Sequence, residues 1–461
     1  MPASTSHKTA PLPSRTERAE AGKTLRAAVP RESHADFAPA PGRNPTAILA
    51  ESDSSRIASL VPIRYERMLA SPFTFLRGAA SIMATDLAAM PAIGLPVQAC
   101  GDCHLMNFGA FGTPEGRILF DINDFDETLP GVDFIVDLKR LVASIAVAAL
   151  DAGHSEKKAR TFAATTARAY REFMRELAGL PPLAIWHTRM DLAREAERIA
   201  DAKLREQILA TLVKAKKTLS LDDNFPHLAK TKNGVCRIED RPPLIYHLDE
   251  AGNGHDAVNA RATLVTYQAA LPPERRVLLD RFHLEDVAFK VVGVGSVGTF
   301  CAIGLYLTGD DEPMFLQIKE AQASVLERLR PGGKRVTHQG TRVVEGQRIM
   351  QAASDAFLGW VEDRKANRYY YVRQLKNRRL GSIGEVMEGN ALVEYASLCG
   401  RTLARAHARS GDPAAISGYI GKSGALDGAL GSFALSYAHQ TVADHAAVTQ
   451  DRAKPKRRSR G

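Results

Sequence analysis

The sequence predicts an α+β fold of two lobes, and three observations predict it. Asp102 and Asn107 stand five residues apart in Gly101-Asp102-Cys103-His104-Leu105-Met106-Asn107. An acidic run, Asp121-Ile122-Asn123-Asp124-Phe125-Asp126-Glu127, follows the apolar, strand-like Arg117-Ile118-Leu119-Phe120. Much later, Gly293-Val294-Gly295-Ser296-Val297-Gly298 joins two β-rich segments, and a third such segment carries Lys319. Apolar residues recur at helical spacing from about 138 to 222, whereas residues 285–320 alternate strand-like runs with turns.

Composition bounds the class. With 45% hydrophobic and 25% charged residues, the chain is an ordinary globular protein. Its 461 residues exceed one small domain. The net charge of +9 is mild, and part of it sits in the tail Lys454-Pro455-Lys456-Arg457-Arg458-Ser459-Arg460. No aromatic residues interleave with those cations, so no specific nucleic-acid binding is expected. Five scattered cysteines, an odd count, point to reduced thiols and a cytoplasmic location. Cys100-x-x-Cys103 fits a redox or zinc half-site, but no second half follows. No apolar run reaches the roughly 18 residues that span a bilayer.

In chain order, residues 1–45 are rich in Ala, Pro, Ser, Arg and Glu and are expected to be mostly disordered. Residues 46–283 form the expected helical lobe with the Asp102 loop and the acidic run. Within it, Arg64, Arg67 and Arg77 lie beside aromatic residues. Arginine suits phosphate and carboxylate recognition, so Arg64 and Arg77 are candidate phosphate or acceptor contacts. Pairing with the acidic run is the alternative. Asp137 stands where an N-cap belongs, ahead of Leu138, Leu141, Val142 and Ile145 at helical spacing. Ser155 opens a second helix to about Leu177, and a third runs from about Asp191 to Leu219. Residues 284–378 form the expected β-rich nucleotide-binding lobe, with a helix over 341–359 and a strand at Tyr369-Tyr370-Tyr371-Val372 leading to a hinge. Residues 379–450 complete the large lobe as helices, and 451–461 are a basic disordered tail.

The chemistry follows from the spacings. Asp-x-x-x-x-Asn is the arrangement of a phosphotransferase loop, in which the Asp takes the acceptor's proton while the Asn and a later Asp hold magnesium. Magnesium wants hard oxygen ligands and keeps several waters, so one carboxylate and one amide oxygen suffice beside phosphates. Asp102 is therefore the candidate base. Asn107 and Asp124 are the candidate metal ligands, with Asp126 or Asp121 assisting. Asp and Asn also make ordinary turns, but the clustered carboxylates repel one another unless a cation offsets them.

Gly293, Gly295 and Gly298 admit two functions. A dinucleotide fold would place a crossover helix after them. Here Thr299 to Leu307 is aromatic and β-branched and reaches a turn at Gly309-Asp310-Asp311, so a kinase-type hairpin fits better. Its glycines let amides approach ATP phosphates, and Lys319 stands where such a hairpin presents its phosphate-binding lysine. Glu345 is the candidate carboxylate to orient Lys319, with Glu320 and Glu327 as runners-up. In an ordinary kinase the glycine loop precedes the Asp loop. The reversed order here predicts a circularly permuted kinase-like fold, with the helix ending near His407 placed where the chain normally enters the Asp loop. Permutation preserves packing when the old termini are adjacent.

Several of these segments also carry a family resemblance. They are Arg64-Tyr65-x-Arg67-Met68, Ser71-Pro72-Phe73-x-Phe75-x-Arg77-Gly78, Gly101-Asp102-x-His104-x-x-Asn107-Phe108-Gly109, Phe120-Asp121-Ile122-Asn123-Asp124-Phe125-Asp126-Glu127, Lys319-Glu320-Ala321 and Arg342-Val343-Val344-Glu345-Gly346-Gln347. Together they resemble the bacterial family of unknown function numbered 2252, over nearly all the chain beyond about residue 20. That family is grouped with the protein-kinase-like superfamily, near the aminoglycoside and choline phosphotransferases. The resemblance implies a kinase-like fold and leaves the substrate open. It also implies that Asp137 braces the Asp102 loop, in competition with the N-cap role. In those phosphotransferases a His precedes the Gly-Asp pair, and here the position is Cys100.

The expected function is ATP- and magnesium-dependent phosphoryl transfer to an unidentified acceptor, small molecule or protein; nucleotidyl transfer uses the same parts. A metal-dependent phosphoesterase is the alternative, with Asp102, His104 and the acidic run around two metals. A nucleotide-binding pseudokinase or scaffold is the third reading.

Overall fold

Helix Phe134–Asp151 organises the large lobe, because every residue from Phe134 to Ala149 is buried. The computed structural model describes residues 12–113, 115–217, 227–232, 234–247, 259–330, 333, 335–375 and 390–454. Helices Glu156–Ala178, Ala391–Ala408 and Ala425–Ala453 pack around this central helix and one another. Short antiparallel pairs lie at its start. Strand β1 (Pro96–Ala99) leads into the Asp102 loop, and β2 (Phe108–Gly112) leaves it and pairs with β3 (Ile118–Ile122). The acidic run then leads to β4 (Leu129–Asp133), which pairs with β1.

The small lobe is built on one antiparallel sheet. A hairpin of β5 (Ala229–Lys232) and β6 (Val235–Ile238) precedes β7 (Ile245–Tyr246), β8 (His283–Lys290), β9 (Cys301–Leu307), β10 (Pro313–Glu320), β11 (Gly359–Asp363) and β12 (Arg368–Gln374). The last six lie in the order β11-β12-β10-β9-β8-β7. Tyr306, Leu316, Ile318 and Tyr370 face a core with Tyr267 of helix Ala260–Ala270. Ile303, Leu305 and Phe315 face a second core with Cys236 and Ile238. A strand covered on both faces reads as a continuous apolar run rather than an alternation, which is how β9 reads. Helix Gln339–Met350 sits between the lobes, touching β11 and β12 on one side and β1 and β4 on the other.

Several elements differ from the sequence reading. Residues 12–44 are ordered: Ser14 caps helix Arg15–Thr24, whose Gly22 and Ala19 lie against the backbone of helix Pro413–Ile420. Arg26 and Arg31 donate to carbonyls at the end of that helix, where such groups lack helical partners. Small residues and arginines anchored this segment, and neither registers as an apolar pattern. Residues 1–11 and 455–461 lie outside the described residues. The small lobe begins near 227 rather than 284, since β5 to β7 and helix Ala260–Ala270 pack on its sheet. The expected helix from 191 breaks into Leu192–Arg198 and Ala202–Lys217; Glu394 accepts the amides of Ala200 and Asp201 at the break. The helix expected over 341–359 ends at Met350, and β11 follows it. Asp133, not Asp137, caps helix Phe134–Asp151, accepting the Ile135 amide.

Where helix Ala391–Ala408 ends, it meets the start of the Asp102 loop. The Gln98 amide donates to Ser410 Oγ at 2.9 Å. Among the described residues no helix is long and apolar enough to cross a membrane.

Candidate active site

Between β1 and β2 the chain turns through Gly101, whose φ is +89°. A Cβ there would lie 2.3 Å from the Glu127 carbonyl oxygen, so only glycine fits. Fully buried Asp137 holds this turn: its carboxylate accepts the Cys100 amide at 2.7 Å and the Gly101 amide at 3.0 Å. His407 Nε2 lies 3.1 Å from the same carboxylate, and Tyr170 Oη lies 2.9 Å from His407 Nδ1. Asp137 thus braces the loop, as the family resemblance implies.

Asp102 and Asn107 are set by this brace. Asn107 Nδ2 donates to the Asp102 carbonyl at 2.6 Å, which commits the amide nitrogen and leaves Oδ1 as a potential ligand. Arg140 Nε donates to Asp102 Oδ1 at 2.6 Å. Burial pushes the Asp102 carboxyl above its ordinary range, and Asp124 adds to the rise, while Arg140 and Arg77 oppose it. A carboxylate with raised proton affinity suits a general base.

The acidic run divides. Asp124 lines the cavity, and its Oδ1 accepts the Asp126 amide at 3.3 Å; among the described residues it forms no ion pair. Asp126 is a junction: it pairs with Lys319 Nζ, accepts Tyr371 Oη on Oδ1 at 2.6 Å and accepts Ser296 Oγ on Oδ2 at 3.0 Å. Burial alone would raise its pKa, but Lys319, Tyr371 and Arg373 overcome that and bring it down to about 2. Asp121 does not belong to the site. It is buried against Arg405 and accepts the Ala352 amide at 2.9 Å. The pairing of β3 with β2 turns it towards helix Ala391–Ala408, so its expected role as a metal ligand gives way to a structural one.

The glycine segment is the loop joining the antiparallel neighbours β8 and β9, and among the described residues no crossover helix follows it. Gly293 and Gly298 have φ of +69° and +94°. At Gly295 an added Cβ would lie 3.2 Å from the Arg77 carbonyl and 3.9 Å from Asp102 Oδ2, so the loop tip reaches the Asp102 carboxylate. Gly293 and Gly295 line the cavity; Gly298 packs on Arg56 at the loop's base.

Lys319, in the middle strand β10, is buried. Burial works against its charge, and Asp126, Tyr371 and Asp124 reverse that and hold its pKa well above the ordinary value. Glu345 does not orient it. Helix Gln339–Met350 buries Arg342, Val343, Gly346 and Gln347, which leaves Glu345 exposed. Of the runners-up, Glu320 lines the cavity and Glu327 carries a buried Oε1 with no partner among the described residues, but the ion pair of Lys319 is to Asp126. Arg64 lines the cavity, yet Nη1 donates to Asp53 Oδ1 at 2.6 Å and Nη2 to the Gly78 carbonyl at 3.0 Å, which makes it chiefly a structural tie. Arg77 also lines the cavity, near enough to Asp102 to act on its charge.

One cavity of about 390 Å³ therefore gathers Asp102, Asn107, Asp124, Asp126, Gly293 and Gly295. Cys100 and Cys103 lie just beneath it, with their sulfurs within 4.8 Å of an Asp137 oxygen. That carboxylate is already committed to two amides and His407, and burial pushes both thiols up, so the cluster reads as packing beneath the loop. Sequence reasoning missed Arg140, Ser296 and Tyr371. Arg140 did carry a signal, because a cation within a helix apolar on all sides needs a partner.

The family described as uncharacterised proteins conserved in bacteria (DUF2252) matches the chain over residues 56–451. No curated protein and no solved structure matches it.

Proposed function

We propose that this chain, which belongs to the DUF2252 family of uncharacterised bacterial proteins, is an ATP- and magnesium-dependent phosphotransferase with a permuted kinase-like architecture. The observation that carries the reading is the convergence of Asp102, Asn107 and Asp124 with the β8–β9 glycine loop on one cavity, with Lys319 joined to it through Asp126. The contact between Ser410 and Gln98 supports the permutation, since it closes the gap a kinase chain crosses covalently.

The donor set fits magnesium. Asp124 is a half-buried carboxylate with no cationic side chain bonded to it among the described residues, and Asn107 has its amide oxygen uncommitted. Bound there with ATP, magnesium would neutralise charge on the phosphate oxygens. The chain's own residues do the rest. The glycine loop covers the phosphates, and Lys319 exchanges Asp126 for a phosphate oxygen. Asp102 holds the acceptor hydroxyl through Oδ2, because Arg140 occupies Oδ1. The hydroxyl oxygen attacks the γ-phosphorus, its proton passes to Oδ2, and the bond to the β–γ bridging oxygen breaks to release ADP. A two-metal phosphoesterase draws less support: His104 Nδ1 already accepts the Met106 amide at 3.1 Å, and the glycine loop and Lys319 would have no task.

Thermal unfolding with ATP and GTP, with and without magnesium, tests the reading. Nucleotide at 100 times its Kd adds about 2.7 kcal/mol of stability. A magnesium-dependent rise in Tm is expected, and no shift with any nucleotide would overturn the proposal.

A further inference from the structure

We propose that the segment between helices Pro45–Asp53 and Pro72–Gly78 is a clamp that positions the glycine loop, with Arg56 and Arg67 as its positioning residues. This rests on the nucleotide reading for its purpose but on separate contacts for its existence. Arg56 Nη1 donates to the Val297 carbonyl at 2.5 Å, the Ile57 amide to the Gly298 carbonyl at 2.8 Å, and Arg67 Nη1 to the Gly293 carbonyl at 2.8 Å. All three acceptors are carbonyls of the β8–β9 loop. A further tie joins Ser55 to Gln322, three residues past Lys319: Ser55 Oγ lies 3.0 Å from Gln322 Oε1, and Gln322 Nε2 donates to the Ser55 carbonyl at 3.1 Å. Val294 in the loop packs against the apolar cluster that holds Leu49, Tyr65, Met68 and Phe75.

The consequence is chemical as well as mechanical. A glycine-rich loop between two strands is free to sample many backbone states, and ordering it on ligand binding costs about 1–2 kcal/mol per residue. Here carbonyls at both ends of the loop are engaged by the clamp. Among the described residues the amides of Gly293, Val294, Gly295 and Ser296 donate to no other group. A loop whose carbonyls are taken and whose amides are uncommitted is a cradle for anionic oxygen. The clamp thus sets the loop for phosphate before ligand arrives, and neither arginine needs to touch the acceptor.

Hydrogen–deuterium exchange at the bonded amides of Ile57, Val297 and Thr299 in the absence of nucleotide, on wild type, Arg67→Ala, Arg67→Lys and Arg56→Lys, reads the clamp directly. Arg67 is only half-buried, so Arg67→Ala is expected to fold. Loss of one hydrogen bond is expected to speed exchange of the loop about three- to ten-fold, with Arg67→Lys recovering part of the protection. In ATP turnover the same variant should raise KM by a similar factor with kcat nearly constant, a split that general destabilisation would not give. Unchanged loop exchange in both Arg67→Ala and Arg56→Lys would overturn the clamp. Faster loop exchange in the variants, together with a wild type that binds no ATP, would uphold the clamp while removing the nucleotide reading.

Discussion

Asp102→Asn is expected to lower kcat for phosphoryl transfer by about 10²–10⁴-fold while leaving KM for ATP little changed. Asparagine keeps the size of the side chain and an oxygen for Arg140, which donates to Oδ1 at 2.6 Å. The loop geometry also survives, because Asp137 and not Asp102 holds the amides of Cys100 and Gly101. What the amide cannot do is accept the acceptor's proton. The lost rate corresponds to about 3–5 kcal/mol of transition-state stabilisation. Steady-state kinetics with Tm measured in parallel decides the matter. If Asp102 only braces Arg140, Tm falls and turnover per folded molecule is unchanged.

Lys319→Met is expected to act on both stability and binding. The lysine is buried, and its partner Asp126 keeps a quarter of its side chain exposed. Removing one member of a fully buried pair costs about 3–5 kcal/mol, so a loss on the order of 2 kcal/mol is expected here. Asp126 belongs to the large lobe, whereas Lys319, Tyr371 and Ser296 belong to the small lobe, so the same substitution loosens the junction between lobes. Chemical unfolding should show the lower stability, and ATP titration a weaker Kd. A variant with normal ATP affinity would place the phosphates away from β10. The companion Glu345→Gln should change neither, since Glu345 is exposed on the outer side of its helix.

What was legible in the sequence is what local spacing determines. Asp102, Asn107 and Asp124 lie within one loop and the strand pair that follows it, so their approach is set over a short stretch of chain. The glycine loop and Lys319 share one hairpin and its next strand, for the same reason. Tertiary packing decided the rest. Asp121 and Asp124 differ by three residues, yet Asp121 lies inside β3, where the strand buries it against Arg405. Glu345 was open to a better reading, because Arg342, Val343, Gly346, Gln347 and Met350 mark the buried face by the 3.6-residue period, and Glu345 falls off it. Arg140, Tyr371 and the N-terminal clamp reach the site across long sequence separations, and no local pattern announces such contacts.

Calorimetric titration of a non-hydrolysable ATP analogue, with magnesium and with chelator, into wild type and Asp124→Ala tests the central claim most directly. Asp124 lines the cavity without an ion-pair partner among the described residues, so its loss should leave the fold intact and remove one of the two proposed metal ligands. Magnesium-dependent binding in the wild type, weakened at least about tenfold in Asp124→Ala, or about 1.4 kcal/mol, is the predicted result. Equal affinity in the two proteins, or no heat of binding in the wild type at millimolar analogue, would contradict it.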